Sequence, residues 1–410
     1  MITLIELINY AAWFVAIYFS VFWLLIFTIN GNRFKNDPKS SHKPFISFLV
    51  PAHNEEETVG KTVESLLNLN YPKRLMEIIV IDDGSSDSTR AIAKAYPVKL
   101  LANKKNRGKA YSLNRAIRIA KGEIIACMDS DSFVDRDALK DMIGYFKYPG
   151  VAAVTAALQV YKPRNFWEKI QDAEYILNIF LRKILCFMDS APVTPGPFSL
   201  YKKSVIKEIG YFDTNNPTED MEIALRMHNA GYKIESSKNA NVYTVCPDKI
   251  KSIYRQRIRW YRGVIQNSVK YRHMFFNPQY GNLGVFFLPM NIIAVFVVAI
   301  LLFNILYNVF SNLIASSIKL LYINFDIYPL ISMFESFNVS IFSVTLTTLL
   351  SVSSLLLGVY MLYKSFTFIG RKVRSNKLGY FLYIFLFPVL MMVFWTVSIF
   401  KEIKKSKTNW

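Results

Sequence analysis

Hydrophobic residues are concentrated at the two ends of the chain and are sparser in its middle. Residues 4–29 are almost entirely apolar, and long apolar runs return at residues 284–310, 341–363 and 378–400. A helix needs about 20 such residues to cross a bilayer. Residues 33–281 have an ordinary soluble composition. The pattern predicts a globular middle anchored by membrane segments at both ends.

The middle segment alternates strand patterns with helix patterns. Apolar runs at residues 45–50, 77–81, 98–102 and 124–128 have the length and branched side chains of buried strands. Helical spacing separates them, and the alternation predicts an α/β domain with a largely parallel, Rossmann-like sheet. Further along, the sequence predicts strands at residues 151–160 and 198–201. The predicted helices are residues 58–69, 106–120, 165–187, 221–230 and 250–271.

The distribution of basic residues predicts which side of the membrane the domain occupies. No Lys or Arg precedes the first apolar segment, whereas Arg33, Lys35, Lys39 and Lys43 follow it. The positive-inside rule then puts the N-terminus outside and the globular domain in the cytoplasm, as in a multi-pass cell-membrane protein. The predicted divisions are an N-terminal transmembrane helix (1–31), a linker (32–44), a globular domain (45–248), an interfacial segment (249–281) and a C-terminal membrane region (282–410).

The C-terminal apolar runs conflict with this topology if each one crosses the membrane. Residues 364–377 are basic and belong in the cytoplasm, but a third crossing would place the basic residues 401–407 outside. Residues 381–400 could instead be re-entrant or interfacial, residues 313–333 could add a crossing, or the rule could fail. The number of C-terminal membrane segments is left at three to five.

Net charge and cysteine content narrow the function classes. The net charge is +19, but Lys and Arg collect beside the apolar segments, so we predict the lipid bilayer as partner and no nucleic acid. Three cysteines without metal-type spacing suit a reducing compartment. The chain has no G-x-G-x-x-G and no G-x-x-x-x-G-K-[ST], which disfavours dinucleotide oxidoreductases and P-loop NTPases. No feature indicates an oligomeric state.

Acidic and polar side chains follow three of the predicted strands. Asn54 and Glu55 follow the first, Asp83 the second, and Asp129 and Asp131 the fourth. The carboxyl ends of parallel strands meet at one edge of a sheet, where open α/β sheets bind ligands. Paired carboxylates suit Mg²⁺ or Mn²⁺ completed by substrate phosphates, although Asp and Ser are also common in turns. A nucleotide would fit this edge, with Arg107 or Lys109 facing a diphosphate.

Four motifs in this region resemble the family-2 glycosyltransferases, which have the GT-A nucleotide-sugar fold. They are Pro51-Ala52-His53-Asn54-Glu55, Asp82-Asp83-Gly84-Ser85-Ser86-Asp87, Asn106-Arg107-Gly108-Lys109 and Asp129-Ser130-Asp131. The resemblance implies a base and ribose site at Pro51, Asn54, Glu55 and Asp83. It also implies a diphosphate and metal site at Asp129 and Asp131, with Lys109 nearby and Mn²⁺ or Mg²⁺ as cofactor.

Three stretches in the second half carry further candidate chemistry. Residues 194–203 begin with a rigid Pro- and Gly-rich loop, which includes Pro197 and precedes the predicted strand at residues 198–201. Thr218-Glu219-Asp220 precedes a helix. Acidic residues are ordinary in a first helical turn, but a carboxylate facing a diphosphate pocket could also act as a base. Gln256-Arg257-Ile258-Arg259-Trp260 lies in a basic, aromatic segment that also suits an interfacial helix. The helix at residues 165–187 suits core packing or a membrane surface.

These stretches extend the resemblance to the processive hyaluronan, chitin, cellulose and poly-N-acetylglucosamine synthases. There the E-D motif, here Glu219 and Asp220, supplies the base as its Asp. The Q-x-x-R-W motif, here Gln256, Arg259 and Trp260, binds the diphosphate and the acceptor sugar, beside Thr218 and the loop containing Pro197. We expect an inverting polymerase that uses a UDP-sugar and a growing polysaccharide. The alternatives are transfer of one sugar to a lipid-linked acceptor, or a non-catalytic receptor for nucleotides or anionic lipids.

Overall fold

The computed structural model of the protein describes residues 3–31, 34, 36–322 and 345–405. Its contacts divide the chain into two compact units. One comprises Met1–Leu25 and Met290–Met361, and the other comprises Ile26–Pro289 and Leu362–Trp410. All the candidate site residues belong to the second unit.

A mixed eight-stranded sheet, in the order β3-β2-β1-β4-β7-β6-β8-β5, forms the centre of the second unit. Strands β1, β2, β3 and β4 are mutually parallel, and β7 turns the direction by pairing antiparallel with β4 and β6. The mostly parallel sheet confirms the predicted fold class. The strands are β1 Ile46–Ala52, β2 Met76–Asp82, β3 Lys99–Ala102, β4 Ile124–Cys127, β5 Ser132–Val134, β6 Val151–Val160, β7 Ser199–Lys202 and β8 Lys233–Thr244.

Helices cover both faces of the sheet, so its central strands are apolar on both sides. On β1, Phe48 and Val50 face one core cluster, whereas Leu49 between them faces the other. In the first part of the second unit, Ile26–Pro289, the α-helices after the anchor are α2 Val59–Leu67, α3 Thr89–Lys94, α4 Lys109–Ile119, α5 Ala138–Met142, α6 Phe166–Phe187, α7 Lys203–Glu208, α8 Glu219–Asn229 and α9 Ile250–Lys270.

Strand β8 has no counterpart among the sequence predictions. It pairs parallel with β6, and Val242 is fully buried, but its sequence KIESSKNANVYT is mostly polar. Periodicity analysis looks for apolar runs or strict alternation. In β8 the buried positions hold Ser and Ala as well as Ile and Val, so the apolar pattern of a strand is masked. The register between β6 and β8 also shifts along their length.

The stretch predicted as a linker is fixed to the globular domain. Asp37 is 8% exposed and accepts hydrogen bonds from the Tyr145 hydroxyl at 2.5 Å and the Ser237 hydroxyl at 2.8 Å. The buried Lys183 ammonium of α6 donates to the same Tyr145 hydroxyl at 2.6 Å. A buried carboxylate is stable only with such donors around it. The chain therefore enters the sheet domain along a fixed path.

Among the described residues, three helices are long and apolar enough to cross a membrane. They are Leu4–Ile29, Leu283–Ile318 and Leu346–Phe368. The first has the predicted bounds, and the other two overlap the predictions at residues 284–310 and 341–363. The corresponding helices are α1 Leu4–Ile29, α10 Leu288–Tyr322, which a π-helical turn precedes, and α11 Leu346–Phe368.

The last predicted span, residues 378–400, is broken in two. Helices α12 Lys377–Phe385 and α13 Phe387–Ile403 belong to a pair bent by 49°. Pro388 stands in the first turn of α13, where its missing N–H and its ring interrupt a continuous helix. Several predictions fall outside the described residues: Arg33 and Lys35 of the basic flank, residues 323–333 of the additional crossing, residues 341–344, and the end of the basic tail at residues 406–407.

Candidate active site

The end of β2 organises the loop that precedes α4. The Asp83 carboxylate accepts from the Asn103 amide at 2.6 Å and from the backbone N–H groups of Arg107 (3.1 Å) and Gly108 (2.8 Å). Gly84 has a φ of 73°, and a Cβ there would lie 2.6 Å from the backbone of Lys105. The predicted nucleotide residue Asp83 is 3% exposed and holds this loop in place.

The end of β1 is tied to the same turn. Asn54, at φ 57°, accepts from the Ser86 backbone N–H at 2.9 Å, and its own N–H donates to the Ser85 hydroxyl at 3.1 Å. Glu55 accepts from the Thr58 hydroxyl at 2.7 Å, and burial is the main reason that its pKa is raised. Two of the three predicted strand ends therefore form one hydrogen-bonded rim.

Lys109 connects the third strand end to the first turn of α8. Its ammonium forms ion pairs with Asp129 and, at 3.2 Å, with Glu219. Burial opposes the positive charge, but these carboxylates prevail and hold the pKa of Lys109 well above its ordinary value. Gly196 covers the cluster closely, because a Cβ there would overlap the Lys109 ammonium. Three predicted site residues that span 110 positions of the sequence, Lys109 to Glu219, thus meet at one point.

The surroundings of Asp129 and Asp131 bear on whether these carboxylates can hold a metal ion. Burial, followed by the charges of Asp129 and Glu55, raises the pKa of Asp131 to about 7. Such a surplus of negative charge fits a divalent cation. The described part of the chain contains no cluster of three or more His, Cys, Asp or Glu residues suited to a metal. A metal here would therefore take Asp129, shared with Lys109, and Asp131, with phosphate and water oxygens completing its shell.

The two acidic residues that open α8 have pKa values shifted in opposite directions. Burial raises the pKa of Asp220, and the adjacent Glu219 raises it further, to about 6, against the opposing charges of Lys109 and Arg259. Burial also acts against ionisation of Glu219, but Lys109 and Arg259 prevail and lower its pKa. Glu219 is therefore an ionised partner of Lys109. Asp220 is a carboxylate that can take up a proton near neutral pH.

Helix α9 carries Gln256, Arg259 and Trp260 and is clamped to α6. The buried Arg257 guanidinium donates to both carboxylate oxygens of Glu174, at 2.8 and 2.6 Å. Its guanidinium carbon also lies 4.2 Å from the centre of the Trp260 ring. Among the described residues, no hydrogen-bond partner reaches the buried side-chain oxygen of Gln256. The contacts of Arg257 thus hold the segment from Gln256 to Trp260 in place, and the Gln256 side-chain oxygen can still accept a hydrogen bond.

The C-terminal helix α13 also packs along α9. Tyr261 stacks on Trp395 with ring centres 4.7 Å apart, and Tyr254 packs edge-on against Phe394 at 6.0 Å. The Arg262 guanidinium forms an ion pair with Glu402. Sequence analysis treated α13 only as a membrane segment, because its contacts with α9 join residues more than 100 positions apart.

The remaining predicted residues lie in the framework around the site. Pro51 is part of β1, and Thr218 packs so closely on α9 that a Cβ at Gly263 would overlap it. Pro197 lies in the loop next to Gly196. Sequence analysis missed Arg182 on α6. Burial lowers the pKa of its guanidinium, and the charges of Cys186 and Asp220 oppose that shift. One of its terminal nitrogens is buried without a partner among the described residues. A cation within the apolar pattern of a 22-residue helix was the signal available.

Comparison with known families adds an independent line of support. Residues 47–210 match the family model described as Glycosyl transferase family 2. A poly-beta-1,6-N-acetyl-D-glucosamine synthase from Staphylococcus epidermidis is 35% identical over 264 residues, covering 61% of this chain and 64% of that protein. The enzyme of the same name from Staphylococcus aureus strain COL is 34% identical over 226 residues, covering 53% and 54%. The matches therefore span less than two thirds of these relatives.

Among solved structures, the fold is similar to that of a mannosyltransferase from Pyrobaculum calidifontis in complex with GDP-Man and Mn²⁺. The TM-score is 0.60, and the alignment covers 88% of this chain and 98% of that one at 20% identity. At this identity the likeness concerns the fold alone.

Proposed function

We propose that this chain, whose residues 47–210 match the model of glycosyl transferase family 2, is a membrane-embedded processive synthase. It transfers N-acetylglucosamine from UDP-N-acetylglucosamine to a growing β-1,6-linked polysaccharide at the cytoplasmic face of the membrane. The sugar and linkage follow the names of the similar staphylococcal proteins. The three candidate spans support membrane embedding.

The central support is the Lys109 cluster. It brings Asp129, at the predicted diphosphate site, to the Glu219-Asp220 pair, where the predicted base stands. Glycosyl transfer needs a diphosphate-binding group and a general base on opposite sides of one anomeric carbon. Turn chemistry alone would not require a half-buried lysine to form ion pairs with both the residue after β4 and the first turn of α8.

The nucleotide would bind along the rim formed by Pro51, Asn54, Glu55 and Asp83, with Lys109 facing the diphosphate. Arg259 is half-buried and forms no ion pair with the described residues, although its charge acts on Glu219 and Asp220. Its planar guanidinium suits bidentate contact with the departing diphosphate. A divalent ion held by Asp129 and Asp131 would neutralise the negative charge on the leaving group.

Asp220 would act as the general base. The acceptor hydroxyl oxygen bonds to the anomeric carbon of the donor, its proton passes to the Asp220 carboxylate, and the bond from that carbon to the diphosphate breaks and releases UDP. Attack opposite the leaving group inverts the configuration, so an α-linked donor gives a β-linked product. The Trp260 ring and the free oxygen of Gln256 would contact the acceptor sugar.

The test is transfer by the purified full chain in detergent. A panel of radiolabelled UDP-sugars is supplied with Mn²⁺ or Mg²⁺, and products are sized on a gel. The proposal expects a high-molecular-weight product from UDP-N-acetylglucosamine that is lost in Asp220→Asn, while nucleotide binding is retained. A glycolipid carrying one sugar would contradict polymerisation and favour a lipid-linked acceptor. Nucleotide binding with no transfer from any donor would favour a receptor.

A further inference from the structure

One face of α6 adjoins the site but has no role in the mechanism above. Gln171, Tyr175, Asn178 and Arg182 are spaced four, three and four residues apart, so they line one side of the helix. The ion pair between Glu174 and Arg257 fastens α6 to α9 beside this face. It also fixes α6 relative to Gln256 and Trp260, which lie within one turn of Arg257 on α9.

The two ends of this face lie near the two acidic parts of the site. The charge of Asp131 acts on the buried Tyr175 hydroxyl, and the charge of Asp220 acts on the Arg182 guanidinium. Asn178 lies between them and is exposed. The segment after α6 reinforces the geometry, because Thr194 donates to the backbone oxygen of Asp220 through its N–H at 3.2 Å and its hydroxyl at 2.9 Å.

This face carries polar atoms whose hydrogen-bonding capacity is unused within the described residues. One terminal nitrogen of Arg182 and the side-chain oxygen of Gln171 are buried without partners, and the side-chain oxygen of Gln256 on α9 is in the same state. A buried donor without an acceptor costs about 1–3 kcal/mol, and more when it is charged. These three atoms, one donor and two acceptors, lie on two helices clamped together, and a polar ligand that reached them would satisfy them.

We infer that the α6 face formed by Tyr175, Asn178 and Arg182 binds the terminal sugars of the acceptor chain, with the Arg182 guanidinium donating to sugar oxygens next to Asp220. The inference rests on the proposed polymerase function, and it assigns to α6 a wall of the acceptor site.

The chemistry of this face fits an uncharged, oxygen-rich ligand. Arg182 offers donors to hydroxyl or acetamido oxygens, and Asn178 offers a donor and an acceptor. The Tyr175 ring is buried against Val160 and Cys246 and supports the face. A nucleotide diphosphate is a poorer fit, because Lys109 and Arg259 already supply the cations at the donor end. Arg182 would hold the accepting hydroxyl at Asp220 and would take no proton itself.

The test separates acceptor binding from donor binding in the full-length protein in detergent. The probe is a β-1,6-linked N-acetylglucosamine oligosaccharide, supplied at varied concentration with saturating UDP-N-acetylglucosamine and Mn²⁺. Arg182→Ala should raise the KM for the oligosaccharide about tenfold or more, because it removes hydrogen bonds from a charged donor. UDP affinity and the slow hydrolysis of the donor without acceptor should stay within about twofold. Arg182→Lys should recover part of the loss.

Two further variants keep the test decisive. Asn178 is exposed, so Asn178→Ala should fold normally and still raise the acceptor KM. Arg90→Ala removes an exposed arginine of α3 and should leave every constant unchanged. The inference, but not the proposed function, would be overturned if Arg182→Ala and Asn178→Ala both still polymerise with an unchanged acceptor KM. Absence of any transfer by the unsubstituted chain would overturn the proposed function, and the inference with it.

Discussion

The pH dependence of transfer follows directly from the surroundings of Asp220. Burial and the neighbouring Glu219 raise its pKa to about 6. A general base must be deprotonated to act, so activity is present above this pKa and is lost as the pH falls through it. With a pKa of about 6, roughly nine tenths of the molecules carry the carboxylate at pH 7 and roughly one tenth at pH 5. Transfer should therefore fall about tenfold for each unit below pH 6.

The assay is kcat/KM for the donor between about pH 5 and about pH 8, at constant ionic strength. Asp220→Asn should lower turnover by about 10²–10⁴-fold, the usual contribution of a general base, and abolish the acidic limb while UDP still binds. Asp189→Asn is a matched control, because Asp189 is half-exposed and pairs with Lys233 at the surface. Arg259→Gln should move the limb to higher pH, because Arg259 lowers the pKa of Asp220.

A second acidic group could produce a similar limb and must be separated from Asp220. The pKa of Asp131 is raised to about 7, chiefly by burial, and a metal ligand competes with protons for its cation. A limb from Asp131 would move to lower pH as Mn²⁺ is increased, whereas a limb from Asp220 would stay in place. A limb that follows the Mn²⁺ concentration, or one that persists in Asp220→Asn, would refute the assignment of the base.

Three other changes test the framework of the site. Asp131→Asn should abolish stimulation by Mn²⁺ without unfolding the protein, measured by Mn²⁺ titration of activity and by thermal unfolding; retained stimulation would contradict the metal site. Gly196→Ala should weaken UDP binding about tenfold, measured by calorimetry, because the added methyl displaces Lys109; unchanged affinity would contradict this packing. Glu174→Gln should cost about 3 kcal/mol of stability by leaving the buried Arg257 uncompensated; equal unfolding of variant and parent would contradict it.

The sequence predicted the α/β order and the meeting of distant motifs because both depend on local patterns. The strand at residues 124–128 is apolar on both faces, so it must lie inside a sheet covered by helices. Once β1, β2 and β4 are parallel, Asn54, Asp83 and Asp129 fall at one edge, and the ion pair between Lys109 and Asp129 agrees with that expectation.

The features that sequence analysis missed depend on long-range contacts. Strand β8 is mostly polar, and β6 and the helices around it bury its small residues. Its sequence therefore shows no hydrophobic periodicity from which a strand could be predicted. The packing of α13 on α9 joins Tyr261 to Trp395, and the docking of α6 on α9 requires Glu174 to meet Arg257. Neither pairing can be read from spacing in one chain. The roles of Arg182 and Gly196 emerged only when their neighbours in space were known.

The most direct test of the account is the length of the product during the first turnovers. Purified protein is given excess radiolabelled UDP-N-acetylglucosamine with Mn²⁺, and products are sized when about one per cent of the donor has been consumed, with Asp220→Asn in parallel. A processive synthase keeps its chain bound, so long polymers should already be present beside unused donor, and none should form in the variant. Products that carry one added sugar, or a full polymer yield from Asp220→Asn, would contradict the account.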